Sequence, residues 1–176
     1  MDLIERHHRF WHRKPVDCPL IGTSRQGSFF LEPFLFLGMK DGILGSDDVP
    51  DPEVFIEPYY KKVLGTTPQD GDVFWVVKPP RALPWMEAIA GCQVMFSSTS
   101  GAMTAIMPDS PPQNLDVDAL LIDNPWLDLL LAFTDTLAAR FGGVFPVGQS
   151  LMRGPSDMMA ALLGQEFYLY LHDQPD

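Results

Sequence analysis

Five consecutive residues, Val73-Phe-Trp-Val-Val77, carry no charged or amide side chain, and they are bounded by Gly71 and Pro79-Pro80. β-Branched and aromatic residues in so short a run predict a strand. Because the run does not alternate polar with apolar, neither face of that strand is suited to water. A strand of this kind belongs in a parallel sheet covered by helices on both sides. The paired prolines end it, and Pro84–Ala90 follows as a short helix, with proline tolerated in the first turn and Gly91 as its stop.

The rest of the chain reads in the same alternating manner. Residues 2–13 suit a short surface helix ended by Pro15, because the residue before a proline disfavours the helical region. Pro19–Ser24 reads as a buried strand and Arg25–Ser28 as the loop beyond it, while residues 29–39 are apolar without a clear period. Lys40–Asp51, rich in glycine and aspartate, is expected to be a loop, and Pro52–Leu64 a helix. Cys92–Phe96 is a further strand candidate. Asn124 can cap a helix whose first residue is Pro125 and whose apolar stripe is Trp126, Leu130, Phe133, Leu137 and Phe141; Gly142-Gly143 ends it. Val144–Gly148 reads as a strand, Gln149–Gly154 as a loop, Pro155–Leu163 as a helix stopped by Gly164, and residues 166–172 as a strand or a helix start. Strand and helix in alternation predict an α/β domain with a parallel sheet, here one domain over residues 1–176 without internal repeats.

Charge narrows the partners. Twenty-three acidic residues face 12 basic ones, a net charge of −11, which repels phosphate backbones and argues against nucleic acid as a partner. No apolar run approaches the ~18 residues of a membrane span. The N-terminal residues include Glu5 and several His and Arg where a signal peptide needs an apolar stretch. The two cysteines, Cys18 and Cys92, form neither a disulfide framework nor a CxxC motif, so a cytoplasmic location with reduced thiols is expected. His8 and His12 share a helix face at metal-ligand spacing, but their surroundings are basic and no further ligand is evident. No metal or cofactor is expected.

Longer phrases carry a resemblance. Residues 13–20, RKPVDCPL, the segment Ala82–Gly91 with its Glu87-Ala-Ile-Ala-Gly91 ending, and Phe145–Gly164 with Arg153-Gly-Pro155 are together similar to the uroporphyrinogen decarboxylase family. Residues 171–176 match the acidic, proline-containing phrase that follows in that family. The resemblance spans nearly the whole chain and implies the N-terminal half of a (β/α)8 TIM barrel with extra loops. The site of such a barrel lies at the C-terminal ends of its strands. It also implies an enzyme of the carboxy-lyase type, acting without a cofactor on a polycarboxylate of the tetrapyrrole class. The chain departs from the family's pattern in three places. No acidic residue occurs from Val73 through Met86, where the family has an aspartate. Its tyrosine in the helix after the Gly-Pro turn falls at about Ala161, and the second arginine of its first loop aligns near Phe29.

The candidate site residues are the cations of predicted strand-end loops. Arg25, beside Gln26, follows the first strand; Lys78 and Arg81 flank the proline pair; Arg153 precedes the helix at Pro155. A guanidinium can hold a carboxylate bidentately, and a helix N-terminus adds free N–H groups to such a site. Each has a plainer alternative: Arg153, for example, could simply pair with Asp157. Trp75 and Trp85 could line a pocket or belong to the core. No catalytic proton donor is identifiable. Two other functions stay open: a corrinoid or thiol methyltransferase-like barrel whose zinc ligands lie beyond these residues, and an inactive truncated or split chain. A barrel of this type needs about 250 residues, with ~200 as a lower bound. The chain is therefore expected to leave an open sheet edge that recruits a second copy or a C-terminal partner half.

Overall fold

A computed structural model describes residues 2–17, 20, 39–54, 56–57, 76–100, 102–110 and 116–173. Arg25, Gln26, Val73–Trp75, Cys18, the first predicted strand and the C-terminal part of the helix expected over Pro52–Leu64 lie outside these residues. Helix α1 spans Leu3–Trp11 and is capped by Asp2, whose carboxylate accepts from the Ile4 amide at 3.2 Å.

The described strands, β1 (Gly42–Leu44), β2 (Gln93–Ser97) and β3 (Ala102–Ile106), form an antiparallel sheet in the order β1-β2-β3. Opposed pairs include Ile43 with Met95 and Phe96 with Met103. The expected strand at Cys92–Phe96 is present, but it runs antiparallel to both neighbours. The expected loop over Lys40–Asp51 contains β1 and a 3-10 turn at Ser46–Asp48. Antiparallel pairing permits one wet face. Accordingly Val94 and Phe96 are buried while Met95 and Ile43 face outward. Asp41 clips the sheet's end to the β2–β3 turn by accepting hydrogen bonds from the Ser98 amide and hydroxyl. These two bonds, the amide first, hold its carboxyl below the usual range.

Parallel pairing occurs at one point among the described residues, between Val77 and Val147. The Val77 amide donates to Pro146 O at 3.0 Å, and the Gly148 amide donates to Val77 O at 2.8 Å. Val77 is 2% exposed but Val76 is 42% exposed, so the expected burial of this segment on both faces is not found at Val76. Val144–Gly148 makes this single bridge rather than a full strand. A Cβ at Gly148 would lie 3.1 Å from Lys78 Cε and closer still to Val76 Cγ1, so a larger residue there would force these side chains to shift.

Helices cover the core. Helix α2 (Trp85–Ile89) is short; α3 (Val117–Leu120) leads into α4 (Pro125–Phe141); α5 (Pro155–Leu163) and α6 (Phe167–Asp173) close the described residues. Asn124 acts at both of its ends. Its Oδ1 accepts from the Trp126 and Leu127 amides at 3.1 and 3.2 Å, and its Nδ2 donates to Ile89 O and Leu120 O, both at 2.9 Å. One side chain thus joins α2, α3 and α4. Phe133, Leu137 and Phe141 of α4 are fully buried against Val77, Leu83, Trp85, Val94 and Phe96. Trp85 meets Phe133 edge-on at 5.8 Å and donates through Nε1 to Pro80 O at 2.7 Å. It is therefore a core residue with its polar atom satisfied. Residues 167–173 are helical, which decides between the strand and helix readings of that segment. The chain is a mixed α/β protein, and no helix among the described residues is long and apolar enough to cross a membrane.

Candidate functional site

A cleft of about 540 Å³ opens between β3, the α2 turn and the face of α5. Its walls hold Thr104, Gln165 and Tyr168 as well as Glu87, Arg153 and Asp157. Each charged group arrives by a different route. Glu87 stands in α2 among Trp85 and Ala88, both buried, and is itself 5% exposed. Arg153 lies just before the α5 N-cap at Gly154, at the end of the loop that leaves the Val147 segment. Asp157 is in the first turn of α5, where the helix dipole favours an anion.

Glu87 and Arg153 meet. Arg153 Nε lies 3.0 Å from Glu87 Oε1, and the side chains are 45% and 7% exposed, respectively. The buried carboxylate thus has a charged partner, without which its burial would be costly. The approach between them is at Nε. A guanidinium also has an outer edge made by its two terminal nitrogens, suited to a carboxylate. Cys92 lies close by, buried, and its thiol is pushed up to about 11 by desolvation and secondarily by the charge of Glu87. A thiol so protonated at neutral pH is a poor nucleophile.

Of the sequence-expected site residues, Arg153 lines the cleft. Lys78 and Arg81 are exposed on the neighbouring loop and do not line it. Because Val77 and Val147 pair in parallel, the loops that follow them, 78–84 and 148–154, start from the same end of the pair. The pairing of Arg153 with Asp157 is not what forms; Glu87 takes that place. Arg153 precedes the helix, so the spacing that aligns residues four apart on a helix does not apply to it. Glu87 was missed as a site residue, although it is the one charged residue in an otherwise apolar helix. His8 and His12 stack at 4.1 Å, with His12 Nδ1 2.7 Å from His8 O. Among the described residues no group of three His, Cys, Asp or Glu could hold a metal ion.

Compared with known proteins, the chain matches no family model, no curated sequence and no solved structure. The cleft's chemistry therefore rests on its own residues. Two carboxylates and one guanidinium leave it one negative charge, so an entering anion needs the outer edge of Arg153 and further cations beyond the cleft.

Proposed function

We propose that this chain folds as part of a (β/α)8 barrel of the uroporphyrinogen decarboxylase type and binds a polycarboxylate, tetrapyrrole-like small molecule for cofactor-independent decarboxylation. The observation that carries the reading is the parallel contact of Val77 with Val147. It starts the two cation-bearing loops from one end of the pair, and barrel active sites are built from such loops. One ligand carboxylate sits on Arg153, and others reach toward Lys78 and Arg81 outside the cleft. In the reaction the bond to a carboxylate carbon breaks, carbon dioxide leaves, and the electron pair left on the substrate carbon takes up a proton. The part of the cations is to hold the carboxylates that stay.

Calorimetric titration with propane-1,2,3-tricarboxylate tests the reading. Arg153→Ala is expected to weaken binding by roughly tenfold or more, the scale of a lost charge-assisted hydrogen bond. Lys78→Ala with Arg81→Ala is expected to weaken it less. Arg140→Ala serves as the control, since Arg140 lies on the outer side of α4 and pairs with Glu53 at 3.1 Å and Glu57 at 3.6 Å. Absence of binding, or equal binding by Arg153→Ala and Arg140→Ala, refutes the proposal.

A further inference from the structure

Charge is unevenly laid out along the chain. Residues 6–14 hold Arg6, Arg9, Arg13 and Lys14, a third of all its cations. From Ala82 through Ala139 no Lys or Arg occurs, while the acidic residues there include Asp116, Asp118, Asp123 and Asp128. Both regions also leave apolar surface uncovered. Helix α1 buries none of its residues, and Leu3, Ile4, Phe10 and Trp11 fall on one face of it, as pairs seven apart. Trp11 is 74% exposed, Ile4 and Phe10 are exposed as well, and Arg13 and Lys14 follow in the open. In the acidic region a recess of about 320 Å³ lies where the end of α2 meets α3 and the start of α4. Ile89, Leu120, Ile122 and Trp126 line it together with Asp123. Ile122 is 68% exposed and Leu121 is exposed beside it. Asp118 and Asp128 stand exposed in the first turns of α3 and α4. Clustered apolar side chains rimmed by charge mark an interaction surface, whereas single ones do not.

We infer that α1 of one copy docks at the α2–α3–α4 recess of a second copy, with Trp11 in the recess and Arg13 and Lys14 against Asp118 and Asp128. A helix laid in a groove through apolar anchors at i and i+7 is a recurrent mode of recognition. The aromatic anchor supplies most of the affinity, and the opposed charges supply register and selectivity. Trp11 and Ile122 are both mostly exposed, so α1 does not cover the recess of its own chain. A basic amphipathic helix also suits an anionic lipid surface. The rest of this chain is strongly acidic, however, and such a surface repels it. Reciprocal docking of two α1 helices closes a two-fold dimer and leaves no recess open for further copies. Glu87, Arg153 and Asp157 take no part, so the dimer and the carboxylate-binding reading stand or fall separately.

The test is sedimentation of the purified full chain over a concentration series, with charge-swapped variants. The wild type is expected to pass from monomer to dimer as concentration rises, and added salt should weaken the dimer several-fold. Trp11→Ala, at an exposed position, should weaken it roughly tenfold or more. A chain with Arg13→Glu and Lys14→Glu should be monomeric, and so should one with Asp118→Lys and Asp128→Lys. Mixed together, these two should dimerise again, since each swapped α1 then meets an oppositely charged rim. The mixed pair has the same total charge as the wild-type dimer, so a general charge effect cannot produce the recovery. Should the doubly lysine-substituted chain not fold, Ile122→Ala replaces it. Its effect and that of Trp11→Ala must then be non-additive, as for residues in contact. A wild type that stays monomeric at every concentration overturns the proposal. So does self-association unchanged in Trp11→Ala, or a mixture that fails to recover. A monomer that floats with phosphatidylserine vesicles, and stops doing so in Trp11→Ala, assigns α1 to a lipid surface and overturns it too.

Discussion

Helices α4 and α5 both pack on α2, yet they use their surfaces differently. Over 17 residues α4 buries Phe133, Leu137 and Phe141 completely and ties its start to α2 and α3 through Asn124. Over nine residues α5 buries Leu162 alone, which sits with Ala90 and Cys92 in a second, smaller cluster. The remaining inward surface of α5, at Asp157, Ala160 and Ala161, lines the open cleft. The first helix is spent on the core. The second is held lightly and keeps surface free for a ligand, the usual relation between a rigid scaffold and the elements that bind upon it.

The comparison breaks most visibly at Phe133. Its truncation to alanine removes the ring that meets Trp85 and is expected to cost about 3–5 kcal/mol, read from denaturant unfolding. Leu162→Ala should cost about 2 kcal/mol, the low end for such a change, because its small cluster borders an open cleft that can relax into the space. Equal losses at the two positions would mean that α5 is as firmly built in as α4. A smaller effect, about 1–2 kcal/mol, is expected for Asn124→Ala, which removes a cap and the bonds to Ile89 O and Leu120 O. Hydrogen exchange should then show the start of α4 opening in that variant while α5 is unchanged.

How legible each region was follows the same division. Helix α4 could be read because Asn124, Pro125, the apolar stripe and Gly142-Gly143 all act locally. A Cβ at Gly142 would run into the Ala138 carbonyl oxygen, so this exit from the helix suits glycine. The bounds of α5 were equally plain from Gly154-Pro155 and Gly164, which has φ +83°. Strand β3, Ala-Met-Thr-Ala-Ile, was not assigned, since alanine and methionine have little strand preference and pairing with β2 is what extends them. Residues 167–173 carry strand-favouring aromatic residues and still form a helix, with Tyr168, Leu169 and Leu171 exposed. At the site, Arg153 was legible as a loop cation beside a helix start. Its partner was not, because Glu87 is distant in the chain and only packing brings the two together. Arg25 and Gln26 lie outside the described residues, so their place relative to Arg153 is not part of the site's geometry.

The smallest effect at neutral pH sharpens the contrast most finely, because Cys92 reports on the α5 side of the core. Its thiol is pushed up to about 11, chiefly by desolvation. In the unfolded chain the thiol ionises nearer ~8.5, the ordinary cysteine value. Between those two values the unfolded state has lost a proton that the folded state retains, so stability falls as pH rises through that window. Below it both states are protonated and Cys92 contributes no pH dependence. Cys92→Ala should therefore flatten the alkaline loss of stability above about pH 9, with no change of slope at pH 7, in denaturant melts across that range. The same thiol measures opening directly. In a chain carrying Cys18→Ser, a thiol reagent reaches Cys92 only when the cluster it shares with Leu162 parts. Leu162→Ala should raise the labelling rate well before global unfolding does, because it loosens α5 alone. If labelling instead follows global stability in both Leu162→Ala and Phe133→Ala, then α4 and α5 open as one unit and the division between scaffold and binding helix falls.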